Sequence, residues 1–207
     1  IGHTPFGHAG EYKLNEIYHA RTGRLFNHNI QSARALTRIY PVNLSLQTLD
    51  GIICHNGEVL SPKYDFDPDK TAQQLLESYH DSLKVKGVSA QMRPMTLEGC
   101  VMRISDIIAY VGRDIEDAIT LKLISRDDLP HEATEVIGNQ NREIVNNLIV
   151  DLVNNSFGQP YLRFSDDVFA ALLLLQEWNY EHIYNNPRKT TQDKKIQNIF
   201  GVHLADA

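Results

Sequence analysis

Apolar residues recur along most of the chain at the three- and four-residue spacing of amphipathic helices, and the alternating pattern typical of strands is almost absent. The clearest case is the segment 96–124, where six apolar residues mark one face: Val101, Ile104, Ile108, Val111, Ile115 and Ile119. The pattern predicts an all-α fold of about eight helices.

Capping and turn residues set the predicted helix bounds. Helices are predicted over residues 11–20, 27–39, 44–54, 69–84, 96–124, 139–156, 165–184 and 191–200. The segment 58–68 contains two prolines and is predicted to be an ordered loop, and residues 87–94 form a connector. We predict one domain over residues 1–207, with the C-terminal helices of residues 158–207 packing on the rest.

Composition narrows the class of protein. Hydrophobic residues make up 42% of the chain and charged residues 22%, which is typical of a soluble globular domain. The net charge of −6 argues against broad nucleic-acid binding. The longest apolar run, Phe169–Leu175, is too short to span a bilayer, and two cysteines suit a reducing compartment. We therefore predict a cytoplasmic protein that does not contact a membrane.

The opening stretch, Ile1–Glu11, combines two histidines, three glycines, a proline and a carboxylate. His3 and His8 are five residues apart, so they can reach a common site only from a turn and the start of a helix. Glu11 follows His8 by one helical turn, which places a carboxylate beside an imidazole, as a general acid requires. The alternative interpretation is a glycine-rich turn that carries two surface histidines.

A second candidate site is a polar stripe on the long helix predicted over residues 96–124. Asp106, Tyr110 and Asp114 are spaced at i, i+4 and i+8, and they border the apolar face. Carboxylates near a core are costly unless a cation, a donor or a metal pairs with them, which favours a stripe that faces a ligand. A solvated stripe beside Arg113 is the alternative.

Two further histidines stand at predicted helix ends. His28 lies near a helix start among amide side chains, where an anion is favoured, although a cap or surface role is more common. The run Cys54–Gly57 is interpreted as a helix C-terminus, where a protonated His55 complements the helix dipole. We assign His55 a structural role.

Together these motifs resemble the deoxyguanosine triphosphate triphosphohydrolase branch of the HD-domain phosphohydrolases. That family carries approximately H-D-I-G-H-T-P-F-G-H-A-G-E, and Ile1–Glu11 matches everything after the His-Asp dipeptide. The segments Phe26–Arg34 and Ser105–Ala118 match two later family motifs, and the resemblance runs from residue 1 to about residue 157. It implies a multi-helix HD-domain fold.

The resemblance implies a role for each matching residue. His8 is the expected proton donor and Glu11 its orienter, while His3 and His28 are expected to contact the phosphates. Asp106 matches a ligand of a divalent metal, which is Mn²⁺, Mg²⁺, Fe²⁺ or Zn²⁺. Tyr110 and Asp114 match residues beneath the sugar.

The implied reaction is metal-dependent hydrolysis of a deoxynucleoside triphosphate (dNTP) to a deoxynucleoside and inorganic triphosphate. The implied partners are the dNTP substrate, a nucleotide activator and further copies in a homo-oligomer. The other family ligands, an earlier histidine and the His-Asp dipeptide, are expected upstream of Ile1. We therefore expect this polypeptide alone to bind the catalytic metal poorly and to show little activity.

Two alternative functions stay open at this point. One is an HD phosphohydrolase that cleaves a different nucleotide or phosphate ester. The other is a nucleotide-sensing module that keeps the pocket without catalysis.

Overall fold

Helices account for most of the computed structural model, which describes residues 1–40, 42–56, 60–190 and 192–203. The α-helices are α1 (Gly7–Thr22), α2 (His28–Arg34), α3 (Leu46–Cys54), α4 (Ala72–Ser82), α5 (Val88–Gln91), α6 (Leu97–Thr120), α7 (His131–Ile137), α8 (Asn141–Ser156), α9 (Asp166–Asn179), α10 (Pro187–Thr190) and α11 (Asp193–His203). The π-helical turns Ala35–Ile39 and Tyr180–Tyr184 extend α2 and α9, and Arg126–Asp128 forms a 3-10 turn. The all-α prediction is confirmed.

Two short strands complete the described secondary structure. Strand β1 (Lys63–Tyr64) pairs antiparallel with β2 (Leu162–Arg163), with Lys63 opposite Arg163 and Tyr64 opposite Leu162. Strand β1 lies in the segment predicted to be a loop. A two-residue strand is too short to produce a recognisable alternating pattern, so sequence pattern could not predict it.

The chain forms two compact units. The first contains residues 1–56, 66–99 and 191–207, and the second contains residues 57–65 and 100–190. Of the C-terminal helices, α11 packs on α1 in the first unit, and α9 packs on α7 in the second. The single domain over residues 1–207 stays a prediction.

The core of the first unit joins α2, α3, α4 and α5. Its buried side chains are Ile30, Ala33, Ile53, Cys54, Leu75 and Met92. Helix α2 also contacts α3 through Asn29, which is fully buried and whose Nδ2 donates to the carbonyl of Ile53 at 2.5 Å. The end of α3 is therefore fixed by both apolar packing and a buried hydrogen bond.

A buried ion pair sits inside the same unit. Asp50 is 1% exposed, and its carboxylate accepts from Lys70 Nζ at 2.6 Å and from the Met95 backbone N–H at 2.6 Å. The Cys54 thiol also donates to Asp50, at 3.6 Å. Burial, and then the charge of Asp50, raise the pKa of Cys54 to about 12, so the thiol stays protonated.

The second unit is built around α6. Its buried residues lie at helical spacing along one side of the helix: Ile104, Ile107, Ile108, Val111, Ile115 and Ala118. The predicted apolar face is confirmed at four of these positions. Val101, however, is 46% exposed and was wrongly placed in the core, because the buried face runs through Cys100 and Ile104 and leaves Val101 beside it.

The sequence also missed α7. This helix has seven residues between Pro130 and Gly138, too few to establish a helical period. Within the described residues, no helix is both long enough and apolar enough to cross a membrane.

We predict that Asp50→Asn destabilises the protein by about 3–5 kcal/mol, because it leaves the Lys70 ammonium buried without its counter-charge. Urea unfolding measures the loss. The matched control is Asp117→Asn, which removes an exposed pair with Arg113 and should cost less than about 1 kcal/mol. Equal losses in the two variants would contradict a structural role for the buried pair.

Candidate histidine and carboxylate site

The opening loop is held against the first turn of α1 and against α2 by two glycines. Gly2 has φ +77°, and a Cβ there would lie 2.3 Å from the backbone N of Ser32. Gly10 lies so close to the loop that a Cβ would lie 1.9 Å from the carbonyl oxygen of Pro5. Since no side chain fits at either position, the glycines let the loop fold tightly enough to bring its histidine back to α1.

Four predicted site residues meet in this unit. His3 lies on the opening loop, His8 and Glu11 on the first turns of α1, and His28 on the first turn of α2. One ligand atom from each lies within 4.8 Å of all the others. We call these four residues the histidine cluster.

The rings of the histidine cluster are in mutual contact. His3 stacks on His28 with ring centres 4.6 Å apart, and His8 meets His3 at 5.1 Å and His28 at 5.8 Å, edge to face. The predicted arrangement, with one histidine on a turn and one at a helix start, describes this geometry.

Glu11 binds His28. Its carboxylate accepts from the backbone N–H of His28 at 2.7 Å, and it lies 3.0 Å from Nδ1 of the same residue. Both side chains are nearly buried, at 13% and 12% exposed. The spacing in the sequence pointed instead to His8 as the partner of this carboxylate, because His28 is distant in the chain.

His28 is held in place from both sides of its chain segment. The Phe26 N–H donates to Asn15 Oδ1 of α1 at 2.7 Å, and the Asn27 side chain donates to the Ser82 carbonyl at the end of α4 at 2.9 Å. These bonds fix where α2 begins. The imidazole of His28 therefore has a defined position before any ligand binds.

The fold lowers the pKa values of two residues in the histidine cluster, Glu11 and His3. Burial raises the pKa of Glu11, but the hydrogen bonds and positive charge of His28, together with His8, outweigh burial and lower it below its usual range. Burial, followed by repulsion from His28 and His8, lowers the pKa of His3. At neutral pH the cluster therefore contains an ionised carboxylate and a neutral His3.

His55 lies next to the histidine cluster. Its ring centre is 5.2 Å from that of His28, and its Nδ1 is 2.6 Å from the carbonyl oxygen of Ile52. It caps the C-terminus of α3, as the sequence predicts. Its contact with His28 joins residues from different helices and leaves no local signal in the sequence.

The other three predicted residues lie on α6 in the second unit. Asp106 is exposed there. Tyr110 OH accepts from Gln176 Nε2 at 3.0 Å, and the Asp114 carboxylate accepts a short hydrogen bond from Tyr184 OH. Gln176 and Tyr184 could not be predicted from local spacing, because each is more than 60 positions from its partner on α6.

The histidine cluster can hold a divalent metal. Three imidazoles and one carboxylate are a donor set that suits Zn²⁺, Fe²⁺ or Mn²⁺. Ligand atoms bound to one tetrahedral metal at about 2.0–2.2 Å lie roughly 3.4 Å apart. The ligand atoms here lie within 4.8 Å of one another, so the side chains must move closer together to bind a metal. Alternatively, Glu11 can orient the ring of His28 through their hydrogen bond, as carboxylates commonly do for histidine ligands of a metal.

Comparison with known proteins shows to which family this chain belongs. The chain is 32% identical over 197 residues to a deoxyguanosinetriphosphate triphosphohydrolase-like protein of Desulfatibacillum aliphaticivorans, a match over 90% of this chain and 48% of the relative. Like-named proteins of Caldanaerobacter subterraneus and Pelagibacter ubique are 27% and 36% identical, over 96% and 62% of this chain and 49% and 33% of theirs. No protein-family model matches the chain.

The fold and the site define an all-α protein with a preformed cluster of imidazoles and one carboxylate. The chain belongs to the family of deoxyguanosinetriphosphate triphosphohydrolase-like proteins. It spans about half the length of the curated relatives that it matches.

Because the pKa of Glu11 is lowered in the fold, its ionised form stabilises the protein above the unfolded value of 4.5, and this contribution is lost as the pH falls through the folded pKa. We predict that Glu11→Gln is less stable than the wild type at neutral pH. The difference should shrink below pH 4.5. Denaturant unfolding from neutral to acid pH measures it.

The control for this experiment is Glu16→Gln on the same helix, since Glu16 is 59% exposed and lies 3.4 Å from the ammonium of Lys13. Its stability should follow that of the wild type across the pH range. A Glu11→Gln deficit that stays constant below pH 4.5 would show that the carboxylate acts through shape and not through charge.

Proposed function

We propose that the protein containing this chain hydrolyses dNTPs to a deoxynucleoside and inorganic triphosphate, and that its fold is of the HD type. The observation that carries the proposal is the histidine cluster, in which three imidazoles and a carboxylate bring their ligand atoms within 4.8 Å of one another. Family membership supports the same reaction class.

The first step that these residues serve is recognition of the phosphates. Phosphate oxygens accept hydrogen bonds, and imidazole N–H groups donate them. His3 and His28 lie stacked, so they can donate to neighbouring oxygens of one chain of phosphates. Glu11 accepts from Nδ1 of His28 and so leaves Nε2 of that ring for the ligand.

The second step is protonation of the leaving 5′-oxygen. His8 is exposed on the first turn of α1 and contacts both other imidazoles of the histidine cluster. Imidazole is the side chain that most often serves as a general acid, and a positioned general acid contributes about 10²–10⁴-fold in rate. We propose that His8 donates this proton.

A divalent metal, when bound, polarises the α-phosphoryl group and supplies hydroxide at neutral pH. From the resemblance we propose Asp106 as one of its ligands. Tyr110 and Asp114 are proposed sugar contacts, and the bonds from Gln176 and Tyr184 support this by fixing their side chains. A nucleotide activator and assembly into a homo-oligomer are further proposals from the same resemblance.

The reaction is tested with the longest natural polypeptide that contains this chain. Each dNTP is incubated with Mn²⁺, and the phosphate products are separated by ion exchange. We expect inorganic triphosphate and deoxynucleoside in equal amounts. Release of pyrophosphate or orthophosphate without triphosphate would contradict the proposed reaction, and binding of dNTP without turnover would favour a sensing module.

The same assay tests the proton donor. We predict that His8→Asn lowers kcat by about 10²–10⁴-fold while KM changes little, because the proton is transferred only in the transition state. His19→Asn is the matched control, since His19 is an exposed histidine near the other end of α1. If His8→Asn raised KM at unchanged kcat, His8 would be a binding residue.

The sugar contact makes a separate prediction. Asp114→Asn should reduce kcat/KM for dNTPs by about 10–100-fold, the value of a hydrogen bond to a charged group, because the 3′-hydroxyl loses its charged acceptor. A 2′,3′-dideoxynucleotide lacks that hydroxyl, so its kcat/KM should change far less. Equal losses for both substrates would assign Asp114 a structural role with Tyr184.

A further inference from the structure

Three side chains of α9 and of the π-helical turn that extends it bond to α6 within the second unit. The donors and their acceptors are Gln176 Nε2 to Tyr110 OH at 3.0 Å, Asn179 Nδ2 to the Val111 carbonyl at 3.3 Å, and Tyr184 OH to the Asp114 carboxylate. Two of the three acceptors are the residues that the proposed function places at the sugar. The α9 segment is therefore in a position to control how those two side chains point.

The π-helical turn Tyr180–Tyr184 brings Tyr184 onto the face of this segment that meets α6. In a regular α-helix each residue advances by about 100°, so Tyr184 would lie roughly 80° around the axis from Gln176. A single π-helical turn takes up one extra residue, which reduces that difference to roughly 20°. The turn therefore lets both side chains reach the same helix.

Asn179 holds α9 against α6 without involving either sugar contact. It is 1% exposed, and the carbonyl that it binds belongs to Val111, which is fully buried. This bond serves the packing of the two helices, since neither group is open to a ligand. It offers a way to separate the structural role of α9 from a role of its other bonds.

The bond from Tyr184 differs from that of Asn179, because both of its partners are only partly buried. A phenol that donates to a carboxylate makes a charge-assisted bond, which is stronger than a neutral one. A carboxylate accepts several hydrogen bonds on its two oxygens, so Tyr184 can hold Asp114 while a sugar hydroxyl donates to it. The bond also selects one of the staggered rotamers that the Asp114 side chain could adopt.

We propose that Tyr184 is a positioning residue, which holds Asp114 for the 3′-hydroxyl of the sugar and so makes the protein prefer nucleotides that carry this hydroxyl. Tyr184 acts through Asp114 and does not itself touch the nucleotide. This inference rests on the proposed function, because it takes Asp114 as a contact to the sugar.

Three variants separate positioning from packing. Tyr184→Phe removes the hydroxyl and keeps the ring. Tyr180→Phe is the matched change in the same π-helical turn, at a tyrosine that is 60% exposed. Asn179→Ala removes the buried bond to α6, so it weakens the packing of the helices and leaves the Tyr184 hydroxyl in place.

The measured quantity is the ratio of kcat/KM for a dNTP to kcat/KM for the matching 2′,3′-dideoxynucleotide, on the longest natural polypeptide that contains this chain. Tyr184→Phe should lower this ratio at least about threefold, because Asp114 then samples about three staggered rotamers where the wild type holds one. Tyr180→Phe should leave both values of kcat/KM unchanged. Asn179→Ala should lower both values by a common factor and keep the ratio.

A double variant checks that Tyr184 acts through Asp114. In an Asp114→Ala background the hydroxyl of Tyr184 has no carboxylate to hold. Adding Tyr184→Phe to this background should therefore leave the ratio unchanged. A further fall in the ratio would mean that Tyr184 acts on the sugar by another route and would overturn the inference.

Two other results would overturn it: a fall in the ratio of less than about threefold in Tyr184→Phe, and an equal fall in Tyr180→Phe. If the polypeptide releases no triphosphate, the dissociation constants of the same two nucleotides replace kcat/KM. Loss of the dNTP preference in Tyr184→Phe would then support the inference while the proposed reaction fails. Triphosphate release with an unchanged ratio would support the reaction while the inference fails, and a wild type that binds neither nucleotide, or both equally, would contradict the inference.

Discussion

The geometry of the histidine cluster depends on one carboxylate that connects two helices. Glu11 belongs to α1, but its oxygens bind the backbone and the ring of His28 on α2. This contact does three things at once: it satisfies an N–H at the start of α2, it fixes the ring of His28, and it places a negative charge among imidazoles. Without it, the bonds of Phe26 and Asn27 would still fix the start of α2, but the ring of His28 would lose the hydrogen bond that orients it.

The rigidity of the site comes from the core beneath it. The buried Asp50–Lys70 pair lies in the same unit, and Asp50 also bonds the Met95 N–H and the Cys54 thiol. Cys54 directly precedes His55, so the ion pair and the ring that adjoins the histidine cluster share one helix end. A buried pair of this kind adds little stability in itself, but it penalises every arrangement that separates its charges.

Much of the site could be predicted because its members are close in sequence. His3, His8 and Glu11 fall within eleven residues, and their spacing restricts them to a turn followed by one helix. The core face of α6 was equally accessible, since a 24-residue helix repeats its period many times. Local spacing and periodicity are the information that a single sequence carries well.

The contacts that were missed all join residues far apart in the chain. His55 meets His28 across 27 positions, and Tyr184 reaches Asp114 across 70. Each of these residues has an ordinary local explanation, such as a helix cap or an aromatic residue at a helix end. The local explanation of His55 as a helix cap was correct, but it could not foresee the ring contact with His28.

The histidine rings of the cluster can bind a metal or a phosphate, and their protonation state decides which of the two ligands is favoured. A metal needs neutral imidazoles, whereas phosphate binding gains from protonated ones. Burial and repulsion lower the pKa of His3 and so favour its neutral form, but a neutral imidazole still donates one hydrogen bond. Repulsion from His28 and His8 contributes to this lowering, and a bound anion would offset that repulsion.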